Sequence, residues 1–177
     1  MALLDGSARW GKPYGCGAIV SATDVVTVGH AVKGGGGLDV QLWDGRVVEA
    51  RVLGALSGPA AVAGPLVDDV SRDLALLRLN EPVAHHLPLA GVDAAYGARV
   101  IAVGSPDRAF GALVSASISY TVGGHQLVGV SLEPGWSGAP LVSADGHLVG
   151  LVVRGTTSVT LAIPASAIAA GLQELRE

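Results

Sequence analysis

Gly135-Trp136-Ser137-Gly138-Ala139-Pro140-Leu141 sets a serine in a turn of small residues between two strand-forming stretches. Glycines on either side let the backbone bend sharply, so the hydroxyl projects outward while neighbouring N–H groups can converge on one point. A G-x-S-G turn alone is an ordinary hairpin in many β proteins. Two upstream segments change its meaning. Val25-Val26-Thr27-Val28-Gly29-His30-Ala31-Val32 delivers a histidine where a β-branched run ends. In Ser71-Arg72-Asp73-Leu74-Ala75-Leu76-Leu77-Arg78-Leu79 an aspartate opens a run that is mostly apolar and alternates poorly, the pattern of a largely buried strand.

Each of these residues has a plain structural reading: a surface or core histidine, a turn aspartate, a hairpin serine. Together, at strand boundaries and in the order His, Asp, Ser, they match a chemical requirement. A serine hydroxyl is a weak nucleophile and needs a base that titrates near neutral pH, which imidazole provides. The imidazole in turn needs a carboxylate to hold its tautomer and stabilise its cation. His30, Asp73 and Ser137 are therefore the candidate catalytic residues.

The same segments resemble the chymotrypsin-clan (trypsin-like) serine peptidases, and among them the bacterial HtrA (Deg) type. Thr27-Val28-Gly29-His30 resembles T-A-A-H or T-N-x-H. Arg72 to Leu77 is similar to D-[IL]-A-L-L with its preceding residue, and Gly135 to Leu141 to G-[ND]-S-G-G-P-L. Gly15 to Val20, Val100 to Pro106 and Leu161 to Pro164 resemble three further family stretches, so the likeness runs from about residue 15 to 170. The resemblance implies an all-β fold of two six-stranded Greek-key barrels with a C-terminal helix. It implies a serine endopeptidase with an acyl-enzyme, an oxyanion hole made by the N–H groups of Gly135 and Ser137, a polypeptide substrate and no cofactor. It also places Ser131 at the base of the pocket for the residue before the cut, Val153-Arg154-Gly155 as the strand that pairs with substrate backbone, and Thr160 on the pocket wall. With no acid in that pocket and a threonine narrowing it, small aliphatic side chains are expected there. Trp136 stands where trypsins carry aspartate and HtrA enzymes asparagine, so activation by pairing an aspartate with a new N-terminus is unavailable. Ala139 replaces the second glycine of G-G-P. Two readings remain beside the peptidase: a protease-fold binding module without activity, and an ester or acyl hydrolase using the same three residues.

Composition fits the β reading. Among 177 residues, 50% are hydrophobic, 15% are charged and 26 are glycine, which suits a turn-rich β protein and excludes disorder. The net charge of −4 and scattered cations give no basis for nucleic acid or an anionic membrane surface as partner. No apolar run approaches the ~18 residues of a membrane span. Residues 1–6 lack a basic and apolar leader pattern, and Cys16 is the one cysteine, so no internal disulfide can form. In secreted relatives a cysteine matching Cys16 pairs with one just after the histidine, where this chain has Ala31. A reducing, cytoplasmic setting is the expectation, with Cys16 as a small buried hydrophobe.

Asp44-Gly45 and Asp145-Gly146, each flanked by apolar runs, predict hairpins. Gly34 to Gly37 predicts a loop after the histidine that lacks the setting of a phosphate cradle. We expect a single domain over 1–177: a first barrel over about 8–80, a connector over 81–97, a second barrel over 98–164 and a helix over 165–176. Ile168, Leu172 and Leu175 recur at helical spacing. His85 and His86 lie in the connector without acidic or cysteine partners at metal-ligand spacing, so a solvated pair is expected and no metal site. HtrA enzymes continue into a PDZ domain; this unit is expected to act alone or to belong to a larger protein whose other domains regulate it. The oligomeric state has no signature in the sequence.

Overall fold

Both Asp-Gly dipeptides sit at hairpin tips, and the same hydrogen bonds close each. Leu42 N–H donates to Arg46 O at 2.8 Å and Gly45 N–H to Leu42 O at 3.0 Å; Ser143 N–H donates to His147 O and Gly146 N–H to Ser143 O, both at 3.0 Å. Each is a three-residue loop that ends in a left-handed glycine, with φ of 85° at Gly45 and 83° at Gly146. The computed structural model describes residues 2–5, 15–32, 37–56, 70–105, 111–122 and 125–177. Of the predicted loop at Gly34 to Gly37, residues 34–36 lie outside those described, and Gly37 opens a strand.

Strands β1 (Ala2–Asp5), β2 (Gly15–Ile19), β3 (Asp24–Thr27), β4 (Gly37–Leu42), β5 (Val47–Ala55) and β6 (Ala75–Leu79) form the first barrel. Its first strand comes from Ala2–Asp5, ahead of the expected start near residue 8: that short segment closes the ring by pairing with both β2 and β4. Strands β7 (Arg99–Gly104), β8 (Ala112–Val122), β9 (His125–Val128), β10 (Pro140–Ser143), β11 (Leu148–Gly155) and β12 (Thr160–Pro164) form the second. Around the rings the orders are β1-β2-β3-β6-β5-β4 and β7-β8-β9-β12-β11-β10, the same Greek-key permutation twice, antiparallel throughout. Both sheets close on themselves.

The poor alternation after Asp73 now has its cause. Leu77 and Leu79 point into the first barrel with Val25, Val40 and Leu42. Leu74 and Leu76 point the other way, into the seam between barrels, against Val26, Leu151, Leu161 and Ile163. A strand covered on both faces has no polar side to show. Each such leucine contributes roughly 1.5–3 kcal/mol relative to exposure. Inside the second barrel, Val100, Ala102, Ile118, Val128, Leu141 and Val152 form a third cluster.

Helix α1 (Ala165–Arg176) buries Ile168 and Leu172 in the seam, with Leu175 packed beside them. Its first turn is capped from the connector: Asp93 accepts from Ser166 N–H at 2.7 Å and from Ser166 Oγ–H at 2.8 Å. Its last turn reaches the first barrel, where Arg176 and Arg78 both donate to the buried carboxylate of Asp24, at 2.9 and 2.8 Å. No helix among the described residues is long and apolar enough to cross a membrane.

Candidate active site

His30 lies in a 3-10 turn (Gly29–Val32) just beyond β3, and Asp73 follows another (Val70–Arg72) just before β6. Because β3 pairs with β6, the two turns emerge side by side from one edge of the first barrel. Asp73 makes two bonds to one residue: Oδ2 lies 2.6 Å from His30 Nδ1, and Oδ1 accepts from the His30 backbone N–H at 2.8 Å. This fork fixes both the turn and the ring, and the carboxylate selects the Nδ1–H tautomer, leaving Nε2 with its lone pair. Gly29 permits the approach. A Cβ there would sit 2.6 Å from Leu56 O and 3.0 Å from Asp73 Oδ1. On its outer side, Arg72 grips Glu174 of α1 through its two terminal guanidinium nitrogens, at 2.8 and 3.1 Å, and this pairing lowers the Glu174 pKa.

Ser137 belongs to the second barrel but is bonded into the first. Its carbonyl accepts from Cys16 N–H at 2.7 Å. A Cβ on Gly15 would lie 2.5 Å from that carbonyl and 3.5 Å from Ala31 Cβ, so the Ser137 turn and the His30 turn abut the same glycine. Gly138 is equally enclosed: a Cβ would meet Cys16 O at 2.0 Å and Thr27 Oγ1 at 2.5 Å, and its φ of 80° also favours glycine. Thr27 in turn donates to Cys16 O at 2.7 Å.

The Ser137 hydroxyl donates to Val153 O at 3.1 Å. Among the described residues it makes no hydrogen bond to His30, and the N–H groups of Gly135 and Ser137 bond to nothing. Val153 is the bulged residue of β11, where the register with β12 shifts between Val152 and Arg154. A bulge beside a reactive residue re-aims backbone groups locally, here a carbonyl toward Ser137.

The expected pocket residues converge, but on one another. Ser131 Oγ–H donates to Thr156 O. Thr160 is fully buried; it donates to Val130 O at 2.7 Å and accepts from Leu132 N–H at 3.0 Å. It thus ties the 130–132 segment to β12. Gly155 lies flush on the Leu132 backbone, where a Cβ would be 1.9 Å from Leu132 O. The 131–132 and 155–156 segments are therefore in direct contact, through Gly155 on the Leu132 backbone and Ser131 on Thr156 O.

Cys16 is fully buried beneath the turn and is free of any disulfide. Burial pushes its thiol up to about 11, against an opposing backbone hydrogen bond from Ser105. It therefore stays protonated and donates to Gly135 O at 3.4 Å. Trp136 is buried, and the Ala139 methyl is accommodated within the second-barrel cluster. His85 and His86 are exposed, and the described residues contain no cluster of groups able to hold a metal ion. Sequence reading missed Gly15, Gly29 and Thr27 as site-building residues. The only available signal was the glycine immediately before His30.

Two closed Greek-key barrels with His and Asp on one and Ser on the other define the class of two-barrel serine peptidases. The Trypsin-like peptidase domain family matches residues 15–151. The chain is 29% identical over 153 residues to the "Probable periplasmic serine endoprotease DegP-like" of Halomonas elongata, a match covering 79% of this chain. It is 28% identical over 144 residues to the serine protease Do-like HtrA of Bacillus subtilis, covering 72% of this chain. The chain spans 29% of the length of either relative. In fold it is similar to the solved HtrA-type protease AlgW with decapeptide, with a TM-score of 0.75 at 23% identity over 93% of this chain and 52% of that one. This chain belongs to the trypsin-like peptidase domain family.

Proposed function

We propose that the domain is a serine endopeptidase in which Ser137 is the nucleophile, His30 the general base and Asp73 the group that orients His30. The observation that carries this reading is the two-bond fork of Asp73 on His30, at 2.6 and 2.8 Å, beside a serine whose turn is bonded into the same barrel. In the reaction the Ser137 hydroxyl turns from Val153 O to His30 Nε2. As Oγ attacks the scissile carbonyl carbon its proton passes to Nε2, and the carbonyl becomes an oxyanion facing the free N–H groups of Gly135 and Ser137. Collapse expels the amine, which takes the proton from His30 and leaves an acyl-Ser137. Water, deprotonated by His30, then repeats the sequence and releases the acid.

Substrate backbone adds as a strand to Val153-Arg154-Gly155, in the manner of β-augmentation. The side chain before the cut lies over Ser131, on the side of Thr160. Small aliphatic groups suit this cleft: Ser131 offers a hydroxyl and no counter-charge, so a buried ammonium or guanidinium would lose its hydration without a partner. A large ring would have to part backbone segments now in contact. The lone Cys16, buried and free, suits a reducing compartment.

Incubation with a fluorophosphonate tests the chemistry. Wild-type protein is expected to label at Ser137, and Ser137→Ala to lose both labelling and peptide cleavage while melting as wild type does. The Ser137–Val153 bond, made in place of one to His30 among the described residues, favours a second reading, a protease-fold binding module. Protein that never labels yet binds peptide would establish that reading in place of ours.

A further inference from the structure

Trp136 sits where the family carries a polar residue, and the backbone around it forms two consecutive turns that share it. Trp136 N–H donates to Glu133 O at 3.4 Å, closing the first turn, and Ala139 N–H donates to Trp136 O at 2.9 Å, closing the second. The third residue of each is a glycine at positive φ, Gly135 at 104° and Gly138 at 80°. Pro134-Gly135 at the centre of the first, with that φ, is the signature of a type II turn. Its middle peptide has a second orientation, flipped as in a type I turn, and the flip would carry the Gly135 N–H to the other face. The two proposed oxyanion donors, Gly135 and Ser137, flank Trp136 directly, so whatever holds Trp136 governs both.

What holds it is burial. The indole is 4% exposed and lies on the end of β7, where a Cβ at Gly104 would come within 2.3, 2.6 and 2.8 Å of three ring atoms. Its neighbours in the cluster, Val100, Ala102 and Leu141 among them, are apolar. The next residue of the same strand end, Ser105, hydrogen-bonds the Cys16 sulfur through its backbone, and Cys16 donates to Gly135 O. Two linkages thus run from residues 104–105 to the turn.

We propose that Trp136 is a positioning residue, an aromatic anchor whose seat on Gly104 holds the Gly135 and Ser137 N–H groups in their oxyanion-binding arrangement. The proposal rests on the serine-peptidase reading above. The ring takes the place of a polar or ionic anchor, so the donors are preset without any cleavage event at the N-terminus.

The experiment compares Gly104→Ala, which fills the seat, with Trp136→Phe, which keeps an aromatic ring in it. Gly104→Ala is expected to lower kcat and the rate of fluorophosphonate labelling about 100-fold at unchanged KM, the loss typical of an oxyanion donor, while still melting cooperatively. Trp136→Phe is expected to stay within about threefold of wild type. If Gly104→Ala does not fold, Trp136→Leu, apolar but without the ring's reach, is expected to give the same split. Amide resonances of Gly135 and Ser137 are followed in parallel and are expected to shift in Gly104→Ala. Wild-type labelling with unmoved resonances, or kcat and KM changing together, would overturn the anchor. If wild-type protein does not label at all, the peptidase reading fails, and the resonances alone decide whether Trp136 sets the turn.

Discussion

Asp73 carries the most consequence per atom. Its two oxygens serve the His30 ring and the His30 backbone separately, so the amide isostere keeps the shape and loses the function. In Asp73→Asn the side-chain NH2 can no longer accept from Nδ1–H, and the ring is driven to the tautomer whose Nε2 carries the proton. A kcat loss of about 10⁴-fold is expected with little change in melting temperature, because the wrong tautomer leaves the geometry intact but removes the base. Labelling and thermal melts of the purified variant check it. Cys16 offers a test by pH. Its thiol titrates at about 11 folded against 9.0 as the reference value. The folded state therefore holds the proton that the unfolded state releases, and the stabilisation is complete below pH 9 and lost as pH rises through 11. Stability should fall by about 1.4 kcal/mol per pH unit across that window. Urea titrations at several pH values should show the slope, and Cys16→Ala should remove this share of it.

Among the elements, α1 shows how a peripheral segment reaches the site. Its Glu174 holds Arg72, next to Asp73, and its Arg176 shares Asp24 with Arg78 of β6. Asp24 is 6% exposed, whereas the arginine side chains are 38% and 51% exposed and can rehydrate once released. Asp24→Ala therefore strands no buried charge but loses two charge-assisted bonds, and a cost of about 2–4 kcal/mol in urea unfolding is expected. The helix itself was readable from the spacing of Ile168, Leu172 and Leu175, because a 3.6-residue period is a local property. The Asp24 cluster joins residues far apart in the chain, and no local pattern marks it.

At the scale of the whole molecule, the site exists only where two barrels meet. Gly138 is a tight point of that seam, with Cys16 O and Thr27 Oγ1 where a side chain would begin. Gly138→Ala adds a methyl group against backbone and also strains a φ of 80°. A loss of more than about 2 kcal/mol is expected, together with loss of labelling. A variant that melted and labelled as wild type does would show that the seam is compliant. Peptide libraries test the cleft: Ala or Val before the cut should be preferred over Arg, Lys or Phe.

The chain order of His30, Asp73 and Ser137, the Asp-Gly hairpins and the doubly buried strand after Asp73 could all be read from sequence, since each is set by residues adjacent in the chain. Those signals were enough for an all-β reading and for naming the three candidate side chains; the double barrel came with the family resemblance they carry. Only the tertiary structure decided what surrounds them. Gly29 matters through Leu56 and Asp73, Gly15 through Ser137, Trp136 through Gly104, and Thr160 through its bonds to Val130 and Leu132. Each of these is a contact between segments distant in sequence, and its sign depends on tenths of an ångström that barrel closure alone sets.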